Sequence, residues 1–127
     1  MIKWKVSLKN MSNLKKEADM IQAEREKKLL SSLGLCAKAG KIIFGVPMIC
    51  EALRSAKGKD VALIIEAKDT SDSTHKRIAD KSSFYQVRTV RIDCDGATLA
   101  SALGKTSSLA AVAIKDKEMC KIVEKYI

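Results

Sequence analysis

The sequence predicts an α/β fold, a single-domain three-layer α/β/α sandwich with a small mixed central sheet. Segments with helical spacing of apolar residues alternate along the chain with short strand-like segments, an order typical of helices on both faces of a sheet. Two strand-like segments, residues 61–65 and 109–114, are unbroken apolar runs, which favours central strands covered on both faces. The 127 residues suffice for one such domain.

The N-terminal region combines an ambiguous segment with a helix. Residues 1–13 begin with alternating apolar and polar or basic side chains, which fits either a short exposed strand or a disordered basic arm. From Leu14 onward the apolar residues recur at helical spacing. They predict a helix that ends at Gly40, because glycine readily adopts the left-handed conformation of a helix C-terminal cap.

The middle of the chain predicts two helices separated by a buried strand. After the short apolar segment 42–44, residues 45–47 (Gly-Val-Pro) start a helix, since proline is tolerated in the first turn, where its missing N–H has no intrahelical partner. The strand at 61–65 follows. Residues 69–71 (Asp-Thr-Ser) then supply capping side chains for the next helix, which should run to about Ser82.

The C-terminal part predicts two strands and two short helices. Residues 87–92 fit a half-buried strand and residues 97–103 a short helix. The apolar run at 109–114 follows as a second buried strand. Asp116 is placed to cap the last helix, in which apolar residues recur at i, i+4 and i+7. The two apolar runs are expected to be neighbours at the centre of the sheet.

The charge balance favours a polyanionic partner. There are 24 basic and 15 acidic residues, a net charge of +9 at pH 7, which is large for a chain of this length. Lysine-rich surfaces also serve solubility, so charge alone does not decide for nucleic acid. The five aromatic residues are scattered along the chain, and they predict no aromatic platform for stacking bases.

Neither membrane insertion nor secretion is expected. No apolar run approaches the roughly 20 residues that cross a bilayer. The first residues contain no apolar core or cleavage site of a signal peptide. The sequence therefore predicts a cytoplasmic protein.

The cysteines and the single histidine suggest structural rather than chemical roles. The spacing of the cysteines matches neither a metal site nor a redox motif, and most have apolar neighbours, so we expect reduced thiols that bind no metal. His75 lies among polar residues and is expected to be a solvated side chain of a helix. The four cysteines are Cys36, Cys50, Cys94 and Cys120.

No catalytic constellation is apparent. The sequence has no nucleophile elbow, no phosphate-binding Walker loop and no His-Glu-x-x-His motif, and one histidine leaves few ways to activate a nucleophile. The segment Asp93-Cys94-Asp95 comes nearest. Two flanking carboxylates would raise the pKa of the thiol, so the segment is interpreted as a turn and helix cap. We predict that the chain is not an enzyme and needs no cofactor.

From about Lys28 to its C-terminus, the chain resembles the kink-turn RNA-binding ribosomal protein superfamily, the L-seven-Ae, L-thirty-e and Gadd-forty-five type, especially its small bacterial members. Residues 40–45 (Gly-Lys-Ile-Ile-Phe-Gly) and 104–114, each with a lysine beside a glycine, are the strongest landmarks. The order and spacing of the landmarks carry the resemblance, since none is specific alone. The others are residues 34–41, the apolar strand 61–65 and the turn 67–74.

The resemblance implies an RNA-binding surface made of two adjacent loops. In the family, the start of the second helix and the loop before the last strand lie side by side and grip a kinked internal loop with tandem sheared G·A pairs. Nearby lysines would contact phosphates. The residues that match this surface, or flank it, are Lys38, Lys41, Gly45, Val46, Pro47, Met48, Glu51, Lys68, Lys105, Thr106, Ser107, Ser108 and Leu109.

Three of the matched positions depart from the family pattern. The best-studied members carry Asn-Glu where this chain has Pro47-Met48, and Lys or Arg where it has Glu51. Proline has no amide donor, methionine has no strong donor, and a carboxylate repels phosphate. A standard kink-turn should therefore bind weakly, and the surface could instead recognise another RNA, use Met48 as an apolar contact, or retain little affinity.

These observations predict a non-catalytic, ribosomal-protein-like RNA-binding protein that acts in translation. Its expected partner is structured RNA, ribosomal or other non-coding, within a ribosome or other ribonucleoprotein, and neither a membrane nor a small-molecule substrate is expected. Residues 1–22 are interpreted as an N-terminal extension and residues 23–127 as the RNA-binding domain. The alternative is a protein–protein interaction module of the same fold with little RNA affinity, as in the Gadd-type relatives.

Overall fold

The computed structural model describes the backbone of residues 8–127 and the side chains of residues 13–127. Five helices and four strands alternate over this part of the chain. They are α1 (Leu8–Lys38), β1 (Ile42–Phe44), α2 (Val46–Ala56), β2 (Leu63–Glu66), α3 (Asp72–Phe84), β3 (Thr89–Arg91), α4 (Gly96–Ala102), β4 (Ala111–Ile114) and α5 (Lys117–Glu124). The predicted α/β class is confirmed.

The four strands form one mixed sheet in the order β1-β4-β2-β3. β4 pairs antiparallel with both β1 and β2, and β3 pairs parallel with β2. Every residue of β2 and β4 is buried. The prediction that the two apolar runs are neighbouring central strands is thus confirmed.

Helices cover both faces of the sheet and divide the core into two clusters. On one face, α1, α4 and α5 pack against side chains such as Leu63, Ile65 and Val112. On the other face, α2 and α3 pack against Ile64 and Ala113. Because neighbouring residues of a strand point to opposite faces, the same two strands supply both clusters. This is the three-layer sandwich that the sequence predicts.

The first helix begins earlier than predicted. We expected a strand or disordered arm over residues 1–13, but α1 begins at Leu8, so that expectation is wrong for residues 8–13. The alternation of apolar and polar residues stops at Leu8. From there the apolar residues Leu8, Met11 and Leu14 recur every three residues, which is the spacing of a helix. The rest of the expectation, residues 1–7, lies outside the described residues.

The exposed start of α1 bears on the predicted division of the chain. Residues 13–25 are exposed, and Leu29 is the first buried residue among the described side chains of the helix. The boundary between residues 22 and 23 falls inside this one continuous helix. That residues 1–22 are a functional extension therefore stays a prediction. Within residues 8–127, no helix has the length and apolar character needed to cross a membrane.

The buried cysteines have thiols that resist ionisation. Cys36, Cys94 and Cys120 are buried, whereas Cys50 is half-buried. Burial raises the pKa of Cys94 to about 12, helped by a hydrogen bond from its Sγ to the Glu26 carboxylate. Burial likewise raises the pKa of Cys120 to about 11, together with its hydrogen bond to Glu124. The raised pKa values leave these thiols protonated at neutral pH.

We expect the native protein to be alkylated first at Cys50. The thiolate is the reactive form of cysteine. The other three thiols, those of Cys36, Cys94 and Cys120, are buried, and each has a raised pKa. Labelling with iodoacetamide at pH 8 and peptide mass spectrometry should find Cys50 modified well before the others. In denaturant all four should react at similar rates. Prior labelling of Cys94 in the native protein would contradict its placement in the core.

Candidate nucleic-acid interface

The first loop of the candidate surface is the turn from β1 into α2. Gly45 lies between the two elements with φ of 86°, in the region that favours glycine. Its N–H donates to the carbonyl oxygen of Ala111 at 3.1 Å, and its carbonyl accepts from the N–H of Ile49 at 3.0 Å. The start of α2 is thereby fixed to the start of β4.

The side chains at the start of α2 divide between the surface and the core. Pro47 and Met48 are exposed, as is Glu51, which lies three residues after Met48 and forms an ion pair with Arg54. Val46 is buried in the cluster beneath α2. The sequence included Val46 in the RNA-facing set, but its side chain belongs to the core and only its backbone is near the surface.

The second loop, residues 104–110, is anchored by contacts with the start of α4. The N–H of Leu109 donates to the Gly96 carbonyl at 3.1 Å, and the Asp69 Oδ1 accepts from the N–H of Gly96 at 2.8 Å. Thr70 Oγ1 is 3.2 Å from the carbonyl oxygen of Ala110. A side chain at Gly96 would collide with the loop, because an added Cβ would lie 2.6 Å from the Leu109 oxygen.

The two loops meet at Phe44 and Lys105. The Lys105 Nζ lies 4.3 Å from the centroid of the Phe44 ring, close enough for a cation–π interaction. Residues 104–108 are exposed, and Leu109 is half-buried against the core. We call Gly45, Pro47, Met48, Glu51 and residues 104–109 the two-loop surface.

Two of the other predicted lysines, Lys38 and Lys68, lie beside the two-loop surface. Lys38 at the end of α1 lines an open groove of about 790 Å³ together with Phe44 and Lys105, so it adjoins the two-loop surface. Lys68 follows β2 and is exposed; its neighbour Ala67 donates to the Ala110 carbonyl at 2.8 Å, which places Lys68 beside the second loop.

Lys41 lies at the opposite end of the sheet. It precedes β1, whereas Gly45 follows that strand, and its carbonyl accepts from the N–H of Lys115 at 2.9 Å. Four residues of extended chain separate Lys41 from Gly45 by roughly 13 Å. The structure therefore brings Lys38, Lys68 and Lys105 to the two loops but leaves Lys41 away from them.

One group of charged residues near the second loop was missed by the sequence analysis. Glu66, at the end of β2, is buried, and its Oε2 lies 2.7 Å from His75 Nδ1 and 3.5 Å from Arg91 Nε. Arg91 also donates to the Lys68 carbonyl oxygen at 2.7 Å. His75 is therefore exposed, as expected, but it also contacts a buried carboxylate through its Nδ1. The acidic residue at the end of an apolar strand was the available signal.

The segment at Asp93-Cys94-Asp95 has a structural role. Asp95 caps α4, since its Oδ1 accepts from the N–H of Thr98 at 2.8 Å, and this hydrogen bond lowers the pKa of Asp95. Cys94 is buried with a raised pKa, which is unsuited to a nucleophile. The predicted turn and helix cap is confirmed. Among residues 8–127, no group of three His, Cys, Asp or Glu side chains is arranged to hold a metal ion.

Two bacterial proteins are similar to this chain in sequence. RNA-binding protein YlxQ of Enterococcus faecium is 37% identical over 60 residues, which cover 47% of this chain and 55% of that protein. RNA-binding protein YlxQ of Bacillus subtilis is 29% identical over 85 residues, covering 67% of this chain and 80% of that protein. These names describe binding and not catalysis, in agreement with the prediction that the chain is not an enzyme.

Two solved structures share the fold. A Bacillus halodurans protein of unknown function superposes with a TM-score of 0.69 at 26% identity, over 78% of this chain and 95% of that protein. The 15.5kD RNA binding protein of Giardia lamblia superposes with a TM-score of 0.63 at 20% identity, over 81% of this chain and 84% of that protein. No protein-family model matches the chain. The similarities support the fold that the family resemblance implies.

Proposed function

We propose that this chain is a cytoplasmic, non-catalytic RNA-binding protein that docks structured RNA on the two-loop surface. The observation that carries the proposal is the hydrogen bond from Gly45 N–H to Ala111, which holds the two loops side by side. Both bacterial relatives are named RNA-binding proteins, and the net charge of +9 favours a polyanion. A preformed surface binds with little loss of conformational entropy.

The chemistry of the surface favours contacts to phosphates and to base edges. Lys38, Lys68 and Lys105 provide positive charge around it. The hydroxyl groups of Thr106, Ser107 and Ser108 are exposed on the second loop and can both donate and accept hydrogen bonds. A kinked internal loop of ribosomal or other non-coding RNA is the ligand that the family resemblance suggests, within a ribonucleoprotein of the translation apparatus.

The salt dependence of binding tests this function. Contacts to phosphates release counterions, so the logarithm of the binding constant should fall linearly with the logarithm of the salt concentration. Lys105→Ala removes one such cation, and we expect it to weaken binding to a kink-turn hairpin and to flatten the slope by about one unit. Fluorescence anisotropy titrations at several KCl concentrations would measure both effects.

The matched control is Lys117→Ala. Lys117 is exposed and is the first residue of α5. It follows the C-terminal end of β4, whereas the second loop precedes the N-terminal end of that strand. Its replacement removes the same charge and should leave the slope unchanged. Equal slopes for the Lys105 and Lys117 variants would place the RNA elsewhere. Salt-insensitive or absent binding, with a stable protein partner instead, would favour the protein-interaction module.

A further inference from the structure

A second exposed site lies at the other end of α2. The ends of α2 and α3 meet there around an open groove of about 450 Å³, lined by Arg54, Lys57, Phe84, Tyr85 and Gln86. The two-loop surface begins at the N-terminus of α2, whereas the groove lies at its C-terminus, the other end of a helix roughly 16 Å long. The two regions share no lining residue, and the pair of Glu51 and Arg54 joins them along α2.

Phe84 is the unusual member of this groove. Its side chain is 78% exposed, the largest exposure among the large hydrophobic residues of the described side chains. Tyr85, which is half-buried against the core, packs on it edge-to-face, with ring centroids 4.9 Å apart and an angle of 78° between the planes. Despite this contact, most of the surface of Phe84 remains accessible to solvent.

Three cations lie in or near the groove. Arg54 of α2 and Lys57, the residue that follows α2, line it, and Lys81, three residues before Phe84 on α3, lies on the same helical face as the ring. Glu51 pairs with Arg54, but both partners are more than half exposed, and such a pair contributes little and exchanges readily with another anion.

Two residues of the groove with long polar side chains have positive φ, a backbone conformation that favours glycine. Lys57 and Gln86 have φ of 53° and 57°, and they are the two non-glycine residues with positive φ in residues 8–127. Both line the groove. Next to them, Gly58 lets the two helix ends approach closely, since a Cβ there would lie 3.0 Å from the Tyr85 oxygen. The amides of Gly58 and Val87 cap carbonyls of α2 and α3, which partly covers the negative ends of these helices.

We propose that this groove binds an unpaired nucleotide of RNA, with its base stacked on Phe84 and its phosphates near Arg54, Lys57 and Lys81. Proteins that bind single-stranded nucleic acid without sequence preference combine a positively charged groove with exposed aromatic side chains on which bases stack. The proposal rests on the proposed function only in taking RNA as the ligand class. It gives the protein two RNA contacts, one for a structured loop and one for a flanking single strand.

The test uses fluorescein-labelled r(A)12 and a blunt kink-turn hairpin as separate probes. Base stacking on an aromatic side chain is worth enough that Phe84→Ala should weaken r(A)12 binding by at least about fivefold. Phe84→Trp, which keeps a stacking face, should bind within about twofold of the native protein. Ile122→Ala, a change at an exposed apolar residue of α5, is the control and should have no effect. Phe84 is exposed, so circular dichroism should find all three variants folded.

A second readout reports stacking itself. With 2-aminopurine in place of one adenine of r(A)12, the native protein and Phe84→Trp at saturation should change the fluorescence, whereas Phe84→Ala should leave it near that of the free strand. Failure of the native protein to bind r(A)12, or binding by Phe84→Ala as tight as that of the native protein, would overturn the proposal. The hairpin separates the two sites. If the native protein binds r(A)12 but not the hairpin, the result counts against kink-turn docking on the two-loop surface and leaves this site standing.

Discussion

Replacing Gly96 by alanine should both destabilise the protein and disorder the second loop of the RNA surface. The new Cβ would collide with the Ser108 side chain and would lie 2.6 Å from the Leu109 oxygen, and the second of these contacts is with backbone. We expect a loss of about 1–3 kcal/mol in the free energy of unfolding, the usual range for overpacking. Thermal denaturation should register a fall in Tm of at least roughly 4 °C.

The same substitution should weaken RNA binding by at least about tenfold, about 1.4 kcal/mol. The loop can relieve the collision only by moving away, and this breaks the hydrogen bond from Leu109 to Gly96. Binding should be measured well below the Tm of the variant, so that lost affinity is not mistaken for unfolding. Calorimetric titration with the hairpin would measure it.

Two further variants separate the proposed cause from a general effect of changing α4. Ser108→Gly combined with Gly96→Ala removes the side-chain collision but not the backbone one, so stability should recover only in part. Ala97→Ser changes the next, exposed residue of the same helix and should alter neither property. Native stability and native affinity in the Gly96→Ala protein would mean that the loop is not held by this contact.

The fold was predictable because its strongest signals are local. The runs at 61–65 and 109–114 had only to be buried on both faces, and β2 and β4 are indeed the two central strands. Capping residues were also predictable, since Ser71 and Asp116 accept hydrogen bonds from helix N–H groups within a few residues.

The features of the structure that the sequence did not predict depend on contacts between residues that are distant in the sequence. The pair of Glu66 and His75 forms only because β2 and α3 bring a buried strand end beneath a helix. Val46 was included among the RNA-binding positions through the family match, which does not reveal that the helical phase of α2 turns its side chain inward. Phe84 is one of the scattered aromatics from which no platform was expected. Its significance appears once the ends of α2 and α3 lie together.

Restoring the family pattern at the start of α2 should raise the affinity for a standard kink-turn by at least about tenfold, about 1.4 kcal/mol. The native chain has no amide donor at Pro47, no strong donor at Met48 and a repulsive carboxylate at Glu51. The triple variant Pro47→Asn, Met48→Glu and Glu51→Lys supplies polar groups for the G·A edges and removes the repulsion. The native protein should bind the same hairpin weakly.

The structure indicates that α2 should tolerate these three changes. All three side chains are exposed, with 59% of Met48 accessible. Glutamate at position 48 lies in the first turn, where negative charge interacts favourably with the helix dipole, and lysine at position 51 lies three residues after it. The lost pair of Glu51 and Arg54 is exposed and contributes little to stability.

The experiment compares two hairpins and three proteins. Since the triple variant alters the charge of the surface, Glu118→Lys in the first turn of α5 serves as a control for non-specific attraction. Only the triple variant should gain affinity, and the gain should vanish when Watson–Crick pairs replace the tandem G·A pairs. Tight binding of a kink-turn by the native chain, or a folded triple variant with unchanged affinity, would mean that this end of α2 does not face the RNA.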